Sequence, residues 1–323
     1  MSTWRWALVG AAVVLVAGGC GGDGDRKGGG ARPAAGGAVT IKPGELLFRD
    51  ARPGPGNGMV ASSSRDAPDG ARQVGRLDCV RVYAAGGTGV CLTVKRGATS
   101  VTELVVLDRG FRETRRIPLS GLPSRARVSP SGRMVSWTIF ISGESYTGQG
   151  MSTRTGILDT RTGAELSSLE SFTLIRDGAR DRSTDLNYWG VTFARDDDRF
   201  YATAKSRGTT YLVEGRMSTR TLKELRTNVE CPSLSPDGTR LAFKKATGDK
   251  QRPWRLHVLD LKSMRETPLA EPQSIDDQAA WLDDGTVMYG RVDGVTTDVW
   301  AVPADGTGRP RKLISDAFSP AAP

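Results

Sequence analysis

The chain has 323 residues, 40 of them glycine, and it is basic, with 45 Lys and Arg against 36 Asp and Glu, for a net charge of +9. The many glycines favour a protein with many turns, and the length allows one large all-β domain. The positive charges are dispersed and form no Lys/Arg run, so the sequence argues against a nucleic-acid patch and we predict no nucleic-acid partner.

Residues 1–20 have the length and composition of an export signal. Arg5 is the only positive residue before an apolar run from Ala7 to Ala17, which is too short for a membrane span. The run ends in Ala17-Gly18-Gly19-Cys20, which resembles a bacterial lipobox whose cysteine becomes lipidated, although that pattern prefers Leu where Ala17 stands. We therefore predict a lipoprotein-type signal peptide ending at Cys20. The alternative is an ordinary secretory signal cleaved nearby.

Residues 21–40 are rich in glycine and have too few apolar residues to bury a core. We predict a disordered tether here and a folded domain over residues 41–323. A lipid on Cys20 would then attach the domain to the outer face of the cytoplasmic membrane, whereas simple cleavage would give a secreted protein.

The folded part consists of short apolar strands separated by turns, in units of about 40 to 50 residues. The first unit has strands at Glu45–Asp50 and Met59–Ser62 and another starting at Arg72, and it lacks a first strand. The second unit has predicted strands at Leu77–Tyr83, Val90–Val94, Glu103–Asp108 and Arg116–Leu119. Units of four antiparallel strands at this period are typical of propeller blades.

The later units repeat the pattern. The third opens around Arg127–Trp137, the fourth around Trp189–Phe193, the fifth around Val229–Lys244 and the sixth around Ala279–Tyr289. A polar insert, Arg176 to Asp185, lengthens the step from the third unit to the fourth. Six units fit the chain, and the tail Ser315–Pro320 resembles the missing innermost strand of the first. We therefore predict an all-β, six-bladed β-propeller closed by a C-terminal strand.

The fifth unit contains Ser235-Pro236-Asp237-Gly238 followed by Leu241-Ala242-Phe243, and the third contains Ser129-Pro130-Ser131-Gly132 at the equivalent place. Asp-Gly is a turn-forming pair between strands. With an aspartate ending the third strand of a unit (Asp108, Asp159, Asp260), these repeats resemble those of TolB-type propellers. The chain from Cys20 onwards is similar to exported actinobacterial TolB-like lipoproteins.

This resemblance implies a propeller that acts as a protein-interaction or ligand-binding platform. TolB itself has an additional N-terminal domain where this chain has a tether, so its role in a cell-envelope complex does not carry over. The predicted partner is an envelope protein or an anionic polymer, and we expect a monomer.

Export also affects the cysteines, because disulfides persist outside the cytosol. Cys79 and Cys91 flank the turn Ala84–Gly89, where they lie within bridging range on one hairpin, so we predict a Cys79–Cys91 disulfide and an unpaired Cys231. A Cys-His metal site is the alternative, but no second ligand pair has suitable spacing. We predict no metal and no cofactor.

The sequence gives little support for catalysis. The only histidine, His257, lies in a strand and is expected to be structural, and we predict no catalytic residue. The alternative is a hydrolase or lyase acting on a cell-wall or sugar substrate through paired carboxylates in the channel. Such an enzyme would need acids facing inward from several blades. Candidates are Glu230 and Asp78, opposed by Arg81 and Arg127.

Ligands of propellers often bind where loops join an outermost strand to the next innermost strand. Arg, Tyr and Trp are frequent energetic anchors of interfaces. The alternative is that the aromatic residues pack between blades and the charges form a structural network. The predicted binding mouth comprises Arg125, Arg127, Asp185, Asn187, Tyr188, Trp189, Glu230, Asp277 and Gln278.

Overall fold

The computed structural model describes residues 39–95, 97, 100–141 and 152–323. The predicted signal peptide, Cys20 and nearly all of the predicted tether lie outside these ranges. Within them the chain is almost entirely β-strand, with one short 3-10 helix at Leu169–Ser171. None of the helices in these ranges has the length and apolar character needed to cross a membrane.

The strands form six antiparallel sheets, the blades of a propeller, and blade 1 combines the first strands with the last. Its strands are, from the channel outwards, β26 (Ala317–Ala321), β1 (Glu45–Asp50), β2 (Met59–Ser64) and β3 (Gln73–Asp78). Blade 2 contains β4 (Arg81–Ala85), β5 (Thr88–Lys95), β6 (Val101–Leu107) and β7 (Glu113–Leu119). Blade 3 contains β8 (Leu122–Val128), β9 (Met134–Ile141), β10 (Ser152–Asp159) and β11 (Glu165–Leu166).

Blade 4 has two additional strands on its outer edge. It contains β14 (Asn187–Phe193), β15 (Arg199–Ser206), β16 (Thr209–Arg216), β17 (Thr221–Thr227), and then β12 (Thr173–Arg176) and β13 (Ala179–Arg180). Blade 5 contains β18 (Glu230–Leu234), β19 (Arg240–Ala246), β20 (Trp254–Asp260) and β21 (Glu266–Pro268). Blade 6 contains β22 (Ala280–Asp283), β23 (Thr286–Asp293), β24 (Thr296–Pro303) and β25 (Arg311–Ile314).

The ring closes through β26, which pairs antiparallel with β1 and so supplies the innermost strand that the first unit lacks. Ser319 of β26 also bonds the next blade, since its hydroxyl accepts from the Val82 N–H (3.1 Å) and donates to the Val82 carbonyl (2.9 Å). The six-bladed ring and its closing strand confirm the fold predicted from the sequence.

The hydrophobic cores lie between neighbouring blades, because alternate residues of each strand face the blade on either side. Leu92 and Leu104 of blade 2, for example, share a buried cluster with Val135 and Leu158 of blade 3. Val39, which the sequence assigned to the tether, is buried between blades 1 and 2 together with Ile41.

The Ser-Pro turns are stabilised by their own side chains. The Ser129 hydroxyl accepts from the Met134 N–H (3.0 Å), and the Ser235 hydroxyl accepts from the Arg240 N–H (3.0 Å) in the same way. Gly132 has φ +80°, which L-residues rarely adopt. The recurring Ser-Pro-x-Gly sequence thus stabilises the turn between the first and second strands of a blade.

One predicted boundary is wrong. Leu77 and Asp78 end the outermost strand of blade 1, and the innermost strand of blade 2 begins at Arg81. The polar insert from Arg176 extends the outer edge of blade 4, where β12 pairs parallel with β17, and adds no strand at the channel.

The cysteines are arranged as predicted. Cys79 and Cys91 form a disulfide, with their Cα atoms 5.4 Å apart. Cys231 has a free thiol and is buried.

Candidate binding site at the mouth of the channel

The two ends of the channel differ in their connections. Loops from an outermost strand to the next innermost strand, and turns between second and third strands, lie at one end, which we call the mouth face. Turns between first and second strands, and between third and fourth strands, lie at the other end, which we call the turn face. This follows from the antiparallel order of each blade.

Arg81 enters the channel from the first position of β4. Its guanidinium donates to Asp277 Oδ1 (2.8 Å) and lies over the Phe318 ring, 4.4 Å from the ring centroid. Both side chains of this ion pair are largely buried, and burial lowers the pKa of Arg81. The pair joins blade 2 to the loop before blade 6.

Arg127 of β8 reaches across the channel to the opposite blade. Its guanidinium donates to the carbonyls of Gln278 (3.2 Å) and Ala279 (2.6 Å), and to that of Ala126 (3.1 Å). It also lies 4.3 Å from the centroid of the Tyr83 ring. Because carbonyl oxygens and a π face carry only partial negative charge, they leave the net charge of this cation in place.

Gln278 completes this closure of the channel. Its side-chain amide donates to the carbonyls of Val191 in blade 4 (3.3 Å) and Pro232 in blade 5 (2.9 Å). Together Arg127 and Gln278 contact the innermost strands of most of the ring. They divide the channel into a charged half towards the mouth face and a second half towards the turn face.

The half towards the turn face is a cavity of about 510 Å³. Its apolar lining residues include Tyr83, Val128, Phe193, Leu234 and Trp281, and the lining also contains Arg195 and the polar side chains of Ser131, Thr192 and Ser235. The charged residues discussed below all lie on the other side of Arg127 and Gln278.

Lys244 and Arg125 add two more cations on the mouth side. The buried ammonium of Lys244 forms an ion pair with Asp276, and Arg125 lies 3.8 Å from the same Oδ1. Glu230 is the register partner of Lys244 on the neighbouring strand, and burial raises the pKa of its carboxyl. The thiol of Cys231 adjoins the Arg125 guanidinium.

The structure brings five of the predicted site residues together here: Arg125, Arg127, Glu230, Asp277 and Gln278. Arg127 and Gln278 are buried within the channel, whereas Arg125 and Glu230 are partly exposed near its opening. The predicted combination of arginines and acids at one mouth is therefore present.

Asp185, Asn187 and Tyr188 do not join this group. Asp185 accepts from the backbone N–H groups of Arg207 (2.7 Å) and Gly208 (2.9 Å) in the β15–β16 turn, and a hydrogen bond from Ser183 is the largest of the effects that lower its pKa to about 2. It thus caps a hairpin.

Asn187 and Tyr188 lie against blade 3. The Asn187 amide oxygen accepts from the Thr153 hydroxyl (2.7 Å), and the Tyr188 carbonyl accepts from the same hydroxyl (2.9 Å). The Tyr188 ring is buried in the core between blades 3 and 4, so it is no exposed anchor. Trp189, the next residue along the strand, is half-buried.

The predicted binding mouth did not include Lys244 and Asp276, and Arg81 was predicted only as a cation opposing the candidate channel acids. The position of Lys244 in its strand points to it. Lys244 lies two residues after Ala242 in β19, so both side chains are on the same buried face of the strand. Asp78, considered as a channel acid, is exposed on the outermost strand of blade 1 instead.

The mouth holds more cationic side chains than carboxylates. Arg81, Arg125, Arg127 and Lys244 stand against Asp276 and Asp277, with Glu230 shifted towards its neutral form. Each of these carboxyls lies beside a cation. The arrangement suits recognition of an anionic group.

The mouth face also carries exposed aliphatic side chains. Val80 and Leu122 lie where the chain enters an innermost strand, Val101 begins a third strand, and Val292 and Val295 belong to the β23–β24 hairpin. In the described part of the chain these five are the exposed large hydrophobic residues, and all of them lie on this face.

Comparison with known proteins identifies the fold alone. No protein-family model matches the sequence, and no curated protein matches it. TolB from Acinetobacter baumannii superposes with a TM-score of 0.62 at 15% identity, over 87% of this chain and 67% of that one.

Two further solved structures are similar. A protein assigned as TolB from Agrobacterium tumefaciens has a TM-score of 0.51 at 10% identity, over 83% of this chain and 87% of the other. A chain of a nidogen/laminin complex has a TM-score of 0.55 at 12% identity, over 86% of this chain and 97% of the other. The chain therefore has the fold of a TolB-like six-bladed β-propeller.

Proposed function

We propose that this protein is a non-enzymatic, extracytoplasmic binding platform whose mouth face docks a partner protein through an acidic group. The observation that carries this proposal is the convergence of Arg81, Arg125 and Lys244 on one opening, on the face that also carries the exposed aliphatic residues. Such a combination of an apolar contact surface with a few charged anchors is usual in protein interfaces.

The charges favour an acidic partner. The cations at the mouth outnumber the ionised carboxylates there, so an approaching acidic side chain or carboxylate is attracted. An anionic polymer would bind the same cations but would make few apolar contacts with Leu122 and Val295. These exposed aliphatic residues favour a protein from the cell envelope over a polymer.

The proposed location rests on two features. The Cys79–Cys91 disulfide is typical of oxidising compartments, and the lipobox-like end of residues 1–20 fits a lipid anchor on Cys20. The Ile41 N–H donates to the Arg109 carbonyl (2.9 Å) in the β6–β7 turn, so the chain enters the propeller on the turn face.

Docking is tested by capture of envelope proteins on immobilised protein. We expect the variant Arg125→Gln/Val295→Ser to lose the specifically captured protein, because it lacks one cation and one apolar contact. The control Arg161→Ser/Lys262→Ser removes two exposed charges from the turn face and should capture as the wild type does. Equal capture by all three folded proteins contradicts docking at the mouth face.

Lipidation is tested separately by metabolic labelling with a fatty-acid probe. The wild type should incorporate the probe, and Cys20→Ala should not. Labelling that persists in Cys20→Ala rules out Cys20 as the site. Its result does not bear on docking.

A further inference from the structure

A small cavity lies among the arginines just below the mouth. It has a volume of about 10 Å³, which is room for one water-sized guest. The lining includes Arg81, Arg125, Arg127, Asp277, Gln278 and Ser319. The cavity lies on the mouth side of Arg127 and Gln278, which together span the channel. Which molecule occupies the cavity does not depend on the proposed docking function.

Two of the arginines that line this cavity have a donor with no hydrogen-bond partner. These donors are Arg125 Nε and Arg127 Nε, and both atoms are buried. Leaving a buried charged donor unpaired is costly, and such donors are usually satisfied by a protein group, a water or an ion. The unpaired Oε1 of Gln278 needs a donor and so is not a ligand for an anion.

The charges around the cavity are unbalanced. Three guanidinium groups line it, and Asp277 is the one carboxylate in the lining. Burial lowers the pKa of Arg81 and of Arg127, and the nearby charge of Arg125 lowers both further. A negative charge placed among them would relieve this repulsion.

We propose that the cavity binds one small monovalent anion of the size of chloride, held by Arg81, Arg125 and Arg127. A single-atom anion needs less room than a carboxylate or a phosphate, which carry several non-hydrogen atoms, and so suits the small volume best. A water molecule would satisfy the free donors but would leave the charges unbalanced. The anion joins blade 2 to blade 3, so it stabilises this part of the closed ring.

The first measurement is the melting temperature in sodium chloride against sodium gluconate at equal ionic strength. At ten times its dissociation constant, chloride should raise the melting temperature by about 2 °C. Arg125→Gln should remove this difference, because it removes one positive charge and an unpaired donor. Arg252→Gln, an exposed arginine outside the channel, should retain the difference.

The second measurement is crystallography of the wild-type protein in sodium bromide. We expect an anomalous peak between the guanidinium groups of Arg81, Arg125 and Arg127. This result decides the matter even if Arg125→Gln fails to fold. The same melting temperature in chloride and gluconate, with no bromide peak in the cavity, would overturn the proposal and assign the cavity to water.

Discussion

At the scale of single residues, the turns of blades 2 and 3 pack through two glycines. A Cβ atom on Gly86, which has φ +57°, would lie 2.3 Å from the Gly132 nitrogen. Gly238 has a similar φ of +76°, but a Cβ there meets nothing within 4 Å. Alanine substitutions at the two sites therefore distinguish the loss of stability caused by a steric clash from the loss caused by a left-handed backbone conformation alone.

We expect Gly86→Ala to lower the free energy of unfolding by about 2–4 kcal/mol, because it adds backbone overlap to the strain of a positive φ. Gly238→Ala should cost about 1–2 kcal/mol, from the strain alone. Chemical denaturation of the two variants measures both values. Equal losses would show that the blade 2–blade 3 turn contact is loose.

His257 provides a test of pH dependence. Its ring packs on Phe243, 5.7 Å between centroids, and burial is the main cause that lowers its pKa from 6.5 to about 4. Glu266, whose carboxylate is 3.9 Å from Nδ1, opposes this shift without cancelling it. The folded state thus binds the proton more weakly than the unfolded state does.

The contribution of His257 to stability is therefore complete above pH 6.5 and is lost as the pH falls from 6.5 towards 4. This loss amounts to up to about 3 kcal/mol. His257→Asn should show a smaller fall in unfolding free energy over this range, measured by urea titration at each pH. Parallel curves for the two proteins would show that the histidine titrates normally.

Interactions between residues that are close in sequence could be predicted, whereas contacts across the ring could not. The turns between strands and the Cys79–Cys91 disulfide follow from neighbouring residues. The Arg127 contact with Ala279 joins opposite blades and depends on the geometry of the closed ring. Tyrosine is a residue type that often anchors interfaces, but the alternation of side chains along the strand points Tyr188 towards the core.

At the scale of elements, β26 is the strand on which closure depends. Ala317 and Ala321 are fully buried, and Phe318 fills the space above Gly290, where a Cβ atom would lie 2.4 Å from its ring. Without this strand, β1 would become an unpaired edge facing the channel.

Removing residues 315–323 should therefore lower the melting temperature by at least about 10 °C. Removing residues 322–323 alone leaves β26 intact and should have a small effect. Differential scanning calorimetry compares the three proteins. An unchanged transition after the longer deletion would mean that the ring does not depend on β26.

The boundary between blades 1 and 2 was not visible in the sequence. Only Cys79 and Val80 separate Asp78 from Arg81, and no Gly or Pro between Leu77 and Tyr83 marks where one blade ends and the next begins. The insert after Arg176 resembles a loop in composition, but it contains β13, which pairs with β12 through backbone hydrogen bonds that sequence periodicity does not reveal.

At the scale of the whole molecule, the repeat period and the tail were enough to predict a closed six-bladed ring. The asymmetry between its two ends was not predictable in the same way. Leu122 and Val295 are far apart in sequence, and only the antiparallel order of the blades places them on the same face as Arg125. The proposed docking surface depends on this asymmetry, because the buried cations of the mouth and the exposed aliphatic residues lie on one face.

Photo-cross-linking in living cells tests that claim most directly, with a photoreactive residue placed singly at Leu122, Val295, Arg161 or Lys262. The first two positions lie on the mouth face and the last two on the turn face. We predict that the same partner protein is cross-linked from Leu122 and from Val295, and from neither turn-face position. Cross-links to one partner from Arg161 and Lys262, with none from the mouth face, would contradict the account.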